Sequence, residues 1–118
     1  MLGKKVSRKI SEKIGFEPGP AAVFVKLDPT SAAFYEQCDK VILSDGALSA
    51  KYKMLLVMCI SATRMCDDCV TQSMKAALNL GATREEILEA LRVTFVTSGA
   101  QTVQVAKKAL ETILAKAR

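Results

Sequence analysis

Cys66-Asp67-Asp68-Cys69 is the segment of this 118-residue sequence whose residue types and spacing are best suited to chemistry. At a helix start, two intervening residues bring both sulfurs close enough to form a disulfide or share a metal. Unpaired backbone N–H groups and the helix dipole there favour a thiolate, mostly at the first cysteine. Asp67 and Asp68 oppose this, because negative charge beside a thiol raises its pKa, and Arg64 is the cation placed to compensate. The pattern supports reversible dithiol-disulfide exchange: one thiolate attacks a substrate disulfide and its partner resolves the mixed disulfide. The competing reading is two helix cysteines that merely pack.

Metal binding needs more ligands than this pair supplies. The sequence has no His, and a tetrahedral site would have to recruit Cys38 and Cys59, or carboxylates such as Asp67 and Asp68, without a second CxxC. No metal is therefore expected. Cys59 lies seven residues before Cys66, so on an unbroken helix the two would share a face. It is an accessory relay candidate, against the commoner outcome of a packed core cysteine. Cys38 has no partner visible in sequence and reads as structural.

The elements that must hold the pair are helical. Half the residues are apolar, only 5% are aromatic and none is Trp, so the core is aliphatic and favours helices over strands. Gly15 to Pro20 breaks a first helix; Asp28 and Pro29 read as the N-cap and first position of a second, running to about Leu43 with Ala33, Phe34, Val41 and Ile42 as apolar contributors. From about Ser49 the chain is apolar on nearly every side, the pattern of a central helix or one buried by oligomerisation. Gly81 fits the position after a helix end, and Thr83 with Glu86 reads as a capping box opening a helix with Ile87, Leu88, Leu91 and Phe95 inward. Ser98 and Gly99 interrupt it. A last helix places Val103, Ala106, Leu110, Ile113, Leu114 and Ala117 on one stripe and Lys107, Lys108, Glu111 and Lys116 largely outside. The expected fold is all-α, with residues 1–16 as a basic amphipathic arm and 17–118 as a single domain.

Charge and length exclude several classes. Seventeen Lys and Arg against twelve Asp and Glu give +5, of which +4 lies in residues 1–14. That segment carries Val6, Ile10 and Ile14 at i, i+4, i+8, an arm that packs on the body or a neighbouring subunit while its basic face is solvated. Basic residues grouped on a folded face with stacking aromatics are not visible, so nucleic acid is not an expected partner. The longest apolar run, Met54 to Ala62, is far short of the roughly 18 residues a bilayer span needs. No secretory pattern is read at the start, and the cysteine usage suits a reducing cytoplasm. No strand-to-helix Gly-rich turn exists to hold a dinucleotide, so neither flavin nor nicotinamide is implied.

The stretch from Leu48 to Leu91, with its apolar helix, CxxC, Ala-rich continuation and the run Gly81-Ala82-Thr83-Arg84-Glu85-Glu86-Ile87, resembles the carboxymuconolactone decarboxylase and alkylhydroperoxidase D-like family. The resemblance implies an all-helical subunit assembling into trimers or hexamers, with the CxxC beside a subunit interface. In the family's peroxidase members a Glu twelve residues before the first cysteine and a His four after the second form a proton relay to that second cysteine. Here those positions are Met54 and Ser73. Met54 fills the space of the absent Glu and makes the pocket drier, and Ser73 is at most a hydrogen-bonding neighbour of the Cys69 sulfur.

Hydroperoxide reduction needs an acidic thiol and a proton for the leaving group, which this pair of substitutions does not supply near neutral pH. Thiol-disulfide exchange is less demanding, because the leaving thiolate is itself a tolerable base. The family's decarboxylases lack the redox pair, so lactone decarboxylation is not expected. The expectation is a cytoplasmic homotrimeric or homohexameric disulfide reductase with Cys66 attacking and Cys69 resolving. Its electrons would come from a small thiol, another dithiol or a thioredoxin-like protein. The alternatives are a weak alkylhydroperoxide reductase and a non-enzymatic redox sensor or scaffold.

Overall fold

Basic and apolar residues recur at helical spacing from the start of the chain, and they fold as the first helix, α1 (Leu2–Ile14). The computed structural model describes residues 2–117, and every side chain among them except that of Leu2. The described residues form seven α-helices, one 3-10 turn and one π turn, with no strand, so the fold is all-α. They group into two compact units, residues 1–50 and 51–118.

In the first unit α1 packs against α2 (Gly19–Leu27) and α3 (Ala32–Ile42), which a 3-10 turn at Pro29–Ser31 precedes. Val6, Ile10 and Ile14 are buried, as their spacing predicts. Helix α2 was not expected from sequence; Pro20 opens it, and Ala21 and Val25 turn inward. Asp28 caps the 3-10 turn, its side chain accepting from the Thr30 N–H at 3.2 Å.

The face that α3 buries is not its apolar one. Ala33, Phe34 and Val41 are exposed and Ile42 is half-buried, whereas Ala32 and Asp39 are buried. The reason is electrostatic: Asp39 is only 2% exposed and meets Lys13 at 2.8 Å and Lys9 at 3.3 Å. Two lysines expected on a solvated basic face thus neutralise a buried carboxylate instead. An ion removed from water is tolerable only when it is paired in this way, so the pair selects which side of α3 meets α1.

In the second unit α4 (Ala50–Thr63), α5 (Asp67–Asn79), α6 (Arg84–Ser98) and α7 (Gln101–Ala109) follow one another. Helix α5 packs on α7 and α6 on α7. Met58, Val70, Met74, Ala77, Ile87, Ala106 and Ala109 are fully buried, an aliphatic core without aromatics. The end of α5 is a Schellman motif: Ala82 donates to the Ala77 carbonyl and Gly81 to that of Leu78, with Gly81 at φ +99°. The next helix opens with the expected capping box, Thr83 N–H donating to Glu86 Oε1 and Glu86 N–H to Thr83 Oγ1. Lys51 of α4 reaches Glu86 at 3.0 Å.

Two sequence expectations change here. On α6 Leu88 and Phe95 face outward while Thr94 is buried, because its hydroxyl is satisfied by donating to the Ala90 carbonyl. The last helix does not keep one register. A π turn at Leu110–Leu114, marked by Ala115 N–H donating to the Leu110 carbonyl, inserts a residue into the helical repeat. Leu114 is therefore buried, while Val103, expected on the same stripe, is 40% exposed because α7 turns Thr102, Ala106 and Ala109 inward instead.

Burial opposes ionisation of the Asp39 carboxyl, but the hydrogen bond and charge of Lys13, joined by those of Lys9, outweigh it and hold its pKa below the ordinary carboxylate value. Asp39→Asn should cost about 1–3 kcal/mol in urea unfolding at pH 7. A depressed folded-state pKa contributes stability above the unfolded value of about 4 and loses it as pH falls through the folded value. The stability curves of wild type and variant should therefore converge on acidification below about pH 4.

Candidate functional site

Helix α4 ends, and α5 begins, at a single tight junction. Met65 N–H donates to the Ala62 carbonyl and Cys66 N–H to that of Ser61, at 3.1 Å each, which is again the Schellman pattern. The residue that must enter the left-handed region is here Met65, at φ +62°, and no other non-glycine among the described residues has a positive φ. An L-residue there costs roughly 1–2 kcal/mol that glycine avoids. The reversal delivers Cys66, extended at φ −104° and ψ 95°, as the N-cap of α5.

Cys66 and Cys69 are joined as a disulfide, with Cα atoms 5.2 Å apart. The Cys66 sulfur also does the work of a cap oxygen, accepting a hydrogen bond from the Cys69 N–H at 3.3 Å. In the dithiol form that N–H and the helix dipole lie where they stabilise negative charge on Cys66. Cys66 is half-buried and Cys69 exposed, so the pair lies at the surface of its unit.

The charges around the pair differ from the sequence reading. Arg64 is exposed and forms no salt bridge among the described residues. The cation that meets the acidic pair is Lys108 of α7, whose Nζ lies 2.7 Å from Asp68 Oδ1. The hydrogen bond to Asp68 and its charge, with a further attraction from Asp67, raise the Lys108 pKa above its ordinary value. Sequence reasoning missed this role because forty residues separate the partners, and Lys108 looks like any outward cation on its helix.

The other candidates are placed as follows. Ser73 is buried, and its hydroxyl donates to the Cys69 carbonyl at 2.6 Å and the Val70 carbonyl at 3.2 Å, so its proton goes to backbone rather than to the Cys69 sulfur. Met54 is buried on α4 at 8% exposure. The Cys59 thiol donates to the Ala90 carbonyl of α6 at 3.6 Å, and the turn after Thr63 breaks the continuous face that a shared helix with Cys66 would need. Cys38 lies on α3 in the first unit, and burial raises its thiol pKa despite an opposing backbone hydrogen bond. Among the described residues no group of three or more Cys, His, Asp or Glu is arranged to hold a metal ion, and no helix is long and apolar enough to cross a membrane.

Comparison with known proteins adds a family. The profile of the carboxymuconolactone decarboxylase family matches residues 29–112. An uncharacterized protein of Cupriavidus necator is 32% identical over 82 residues, covering 70% of this chain and 73% of that protein. Uncharacterized protein 4 in the cox locus of Paracoccus denitrificans is 37% identical over 54 residues, 46% of this chain and 49% of that protein. The chain thus spans about half the length of this second relative. No solved structure matches the chain.

The strained junction makes a prediction of its own. Met65→Gly relieves the left-handed backbone, while Met65→Val places a β-branched residue in it; the two variants should differ by about 1–2 kcal/mol in denaturant unfolding, the glycine form being the more stable. Equal stabilities would mean that the turn relaxes out of the left-handed region.

Proposed function

The chain belongs to the carboxymuconolactone decarboxylase family, and within it we propose that this protein is a thiol-disulfide oxidoreductase that reduces disulfides through Cys66 and Cys69. The observation that carries the reading is the disulfide seated on the N-terminus of α5, one sulfur accepting a helix N–H and the other belonging to an exposed residue.

In the reduced enzyme the Cys66 thiolate attacks one sulfur of a substrate disulfide, forming a mixed disulfide and releasing the other half as a thiolate, which takes up a proton. Cys69, once deprotonated, then attacks the Cys66 sulfur. The substrate's second half leaves as a thiol and the Cys66–Cys69 disulfide closes, two electrons having passed to the substrate. Two equivalents of a small thiol, or one of a dithiol or a thioredoxin-like protein, restore the dithiol and are themselves oxidised to a disulfide. Peroxide reduction is the less suited chemistry. Met54 carries no proton, and the Ser73 hydroxyl is committed to backbone carbonyls, so neither substitutes for an acid at the leaving oxygen.

The proposed setting is a reducing compartment, the cytoplasm, in which a thiol donor is abundant. The proposed assembly is a homotrimer or homohexamer. Support for assembly comes from α4, where Tyr52, Leu56 and Ile60 fall at i, i+4, i+8 and are each about half exposed, a stripe that a second copy can cover. Light scattering should then give three or six subunits for the wild type and a smaller species for Leu56→Glu.

Steady-state reduction of a chromogenic aryl disulfide with several thiol donors tests the activity. Turnover should fall to background in Cys66→Ser and in Cys69→Ser and persist in Cys59→Ser. Unchanged turnover in either of the first two variants would sink the proposal.

A further inference from the structure

Lys108 carries a role at the cysteine pair that its position in the sequence does not announce. A thiol pair with two acids between its members is electrostatically disfavoured as a nucleophile, since each carboxylate raises the pKa of the adjacent sulfur. Among the described residues the cation that pairs with this segment is Lys108, across α5 and α7, at 2.7 Å from Asp68. An ion pair this exposed, with side chains 54% and 72% open to solvent, does little for stability. Its effect on a neighbouring charge is a different matter, because the ammonium stands beside the residue that directly precedes Cys69.

We propose that Lys108 is a positioning residue for thiol-disulfide exchange: by pairing with Asp68 it cancels half of the negative charge inside the CxxC and keeps the reactive thiol ionisable. This rests on the redox reading of the pair. The charged groups that bear on the site are few. On α5 they are Asp67 and Asp68, with Lys75 two turns beyond Cys69; on α7 and the π turn packed against it they are Lys107, Lys108 and Glu111, with Lys116 just past that turn. Lys107 approaches Glu111 at 4.0 Å, so those two charges offset each other. Arg64, at the end of α4, is exposed and unbridged among the described residues. Among the described residues Lys108 is the cation in direct contact with an acid of the CxxC, so its removal changes the field at the sulfurs.

The test uses the reduced protein and follows site-resolved alkylation of Cys66 and Cys69 against pH by mass spectrometry, so that Cys38 and Cys59 do not contribute. In Lys108→Gln the alkylation inflection should rise by about half a pKa unit, roughly threefold less thiolate at a fixed pH below it. Lys108→Arg should follow the wild type. Asp68→Asn combined with Lys108→Gln should return to the wild-type profile, because carboxylate and cation are then both gone. High salt should shrink the difference between Lys108→Gln and wild type, as it does for any exposed charge. Exchange rates are a poorer readout, since a less acidic thiolate is also more nucleophilic and offsets part of the loss. A Lys108→Gln profile that superimposes on wild type at low salt overturns the proposal, and so does a shift that persists in the double variant. If the wild type turns over no disulfide with any donor, the reductase reading fails; the alkylation profiles still decide whether Lys108 governs the thiols.

Discussion

The backbone and sulfur of Cys66 are claimed by two helices at once. Its N–H closes α4 by donating to the Ser61 carbonyl, and its sulfur opens α5 by accepting from the Cys69 N–H. Both ends would otherwise leave polar groups without partners, so the junction has little freedom to move. Met65 bears the consequence in its left-handed backbone, and the disulfide then spans the first turn of α5. The position of the cysteine pair is thereby set by helix capping, a backbone constraint, before any side chain around it is chosen.

What surrounds the pair tunes its chemistry. The helix terminus favours a thiolate, the two aspartates oppose it, and Lys108 returns one positive charge. Ser73, one turn past Cys69, gives its proton to the carbonyls of Cys69 and Val70, and the buried Met54 is an apolar side chain with no proton to give. An exchange reaction whose leaving group is a thiolate tolerates such a site, whereas one whose leaving group is hydroxide or alkoxide does not. The family supplies the scaffold, and it is on these residues that the proposed choice of disulfide exchange over peroxide reduction rests.

Local signals in the sequence were legible where one turn of chain contains both partners of an interaction. The Thr83–Glu86 capping box, the Gly81 helix end, the buried face of Val6, Ile10 and Ile14, and the CxxC at a helix start all belong to this class. Interactions between distant segments were not legible. Lys9 and Lys13 looked like solvated cations until the fold brought Asp39 to them, and Lys108 looked the same until α7 met α5. The Met65 junction was hidden for another reason: the left-handed residue of a Schellman motif is usually glycine, and methionine carries no such signal. Helix α2 and the π turn at Leu110–Leu114 lack a distinguishing period over so few residues, and α7 buries Thr102, Ala106 and Ala109 rather than the stripe through Val103. The α3 face was misjudged because a buried ion pair, not apolar area, decided its orientation.

The central claim is that Cys66 and Cys69 act together as a reversible two-electron couple. Equilibrating the protein in glutathione buffers of stepped potential, then alkylating and weighing the Cys66–Cys69 peptide, measures this directly. The account predicts a single two-electron transition within about −180 to −300 mV, where cellular thiols can drive it in both directions. A peptide that remains fully oxidised throughout that range would be a structural disulfide. One whose two thiols stay reduced or react independently would not be a couple at all, and either result would contradict the account.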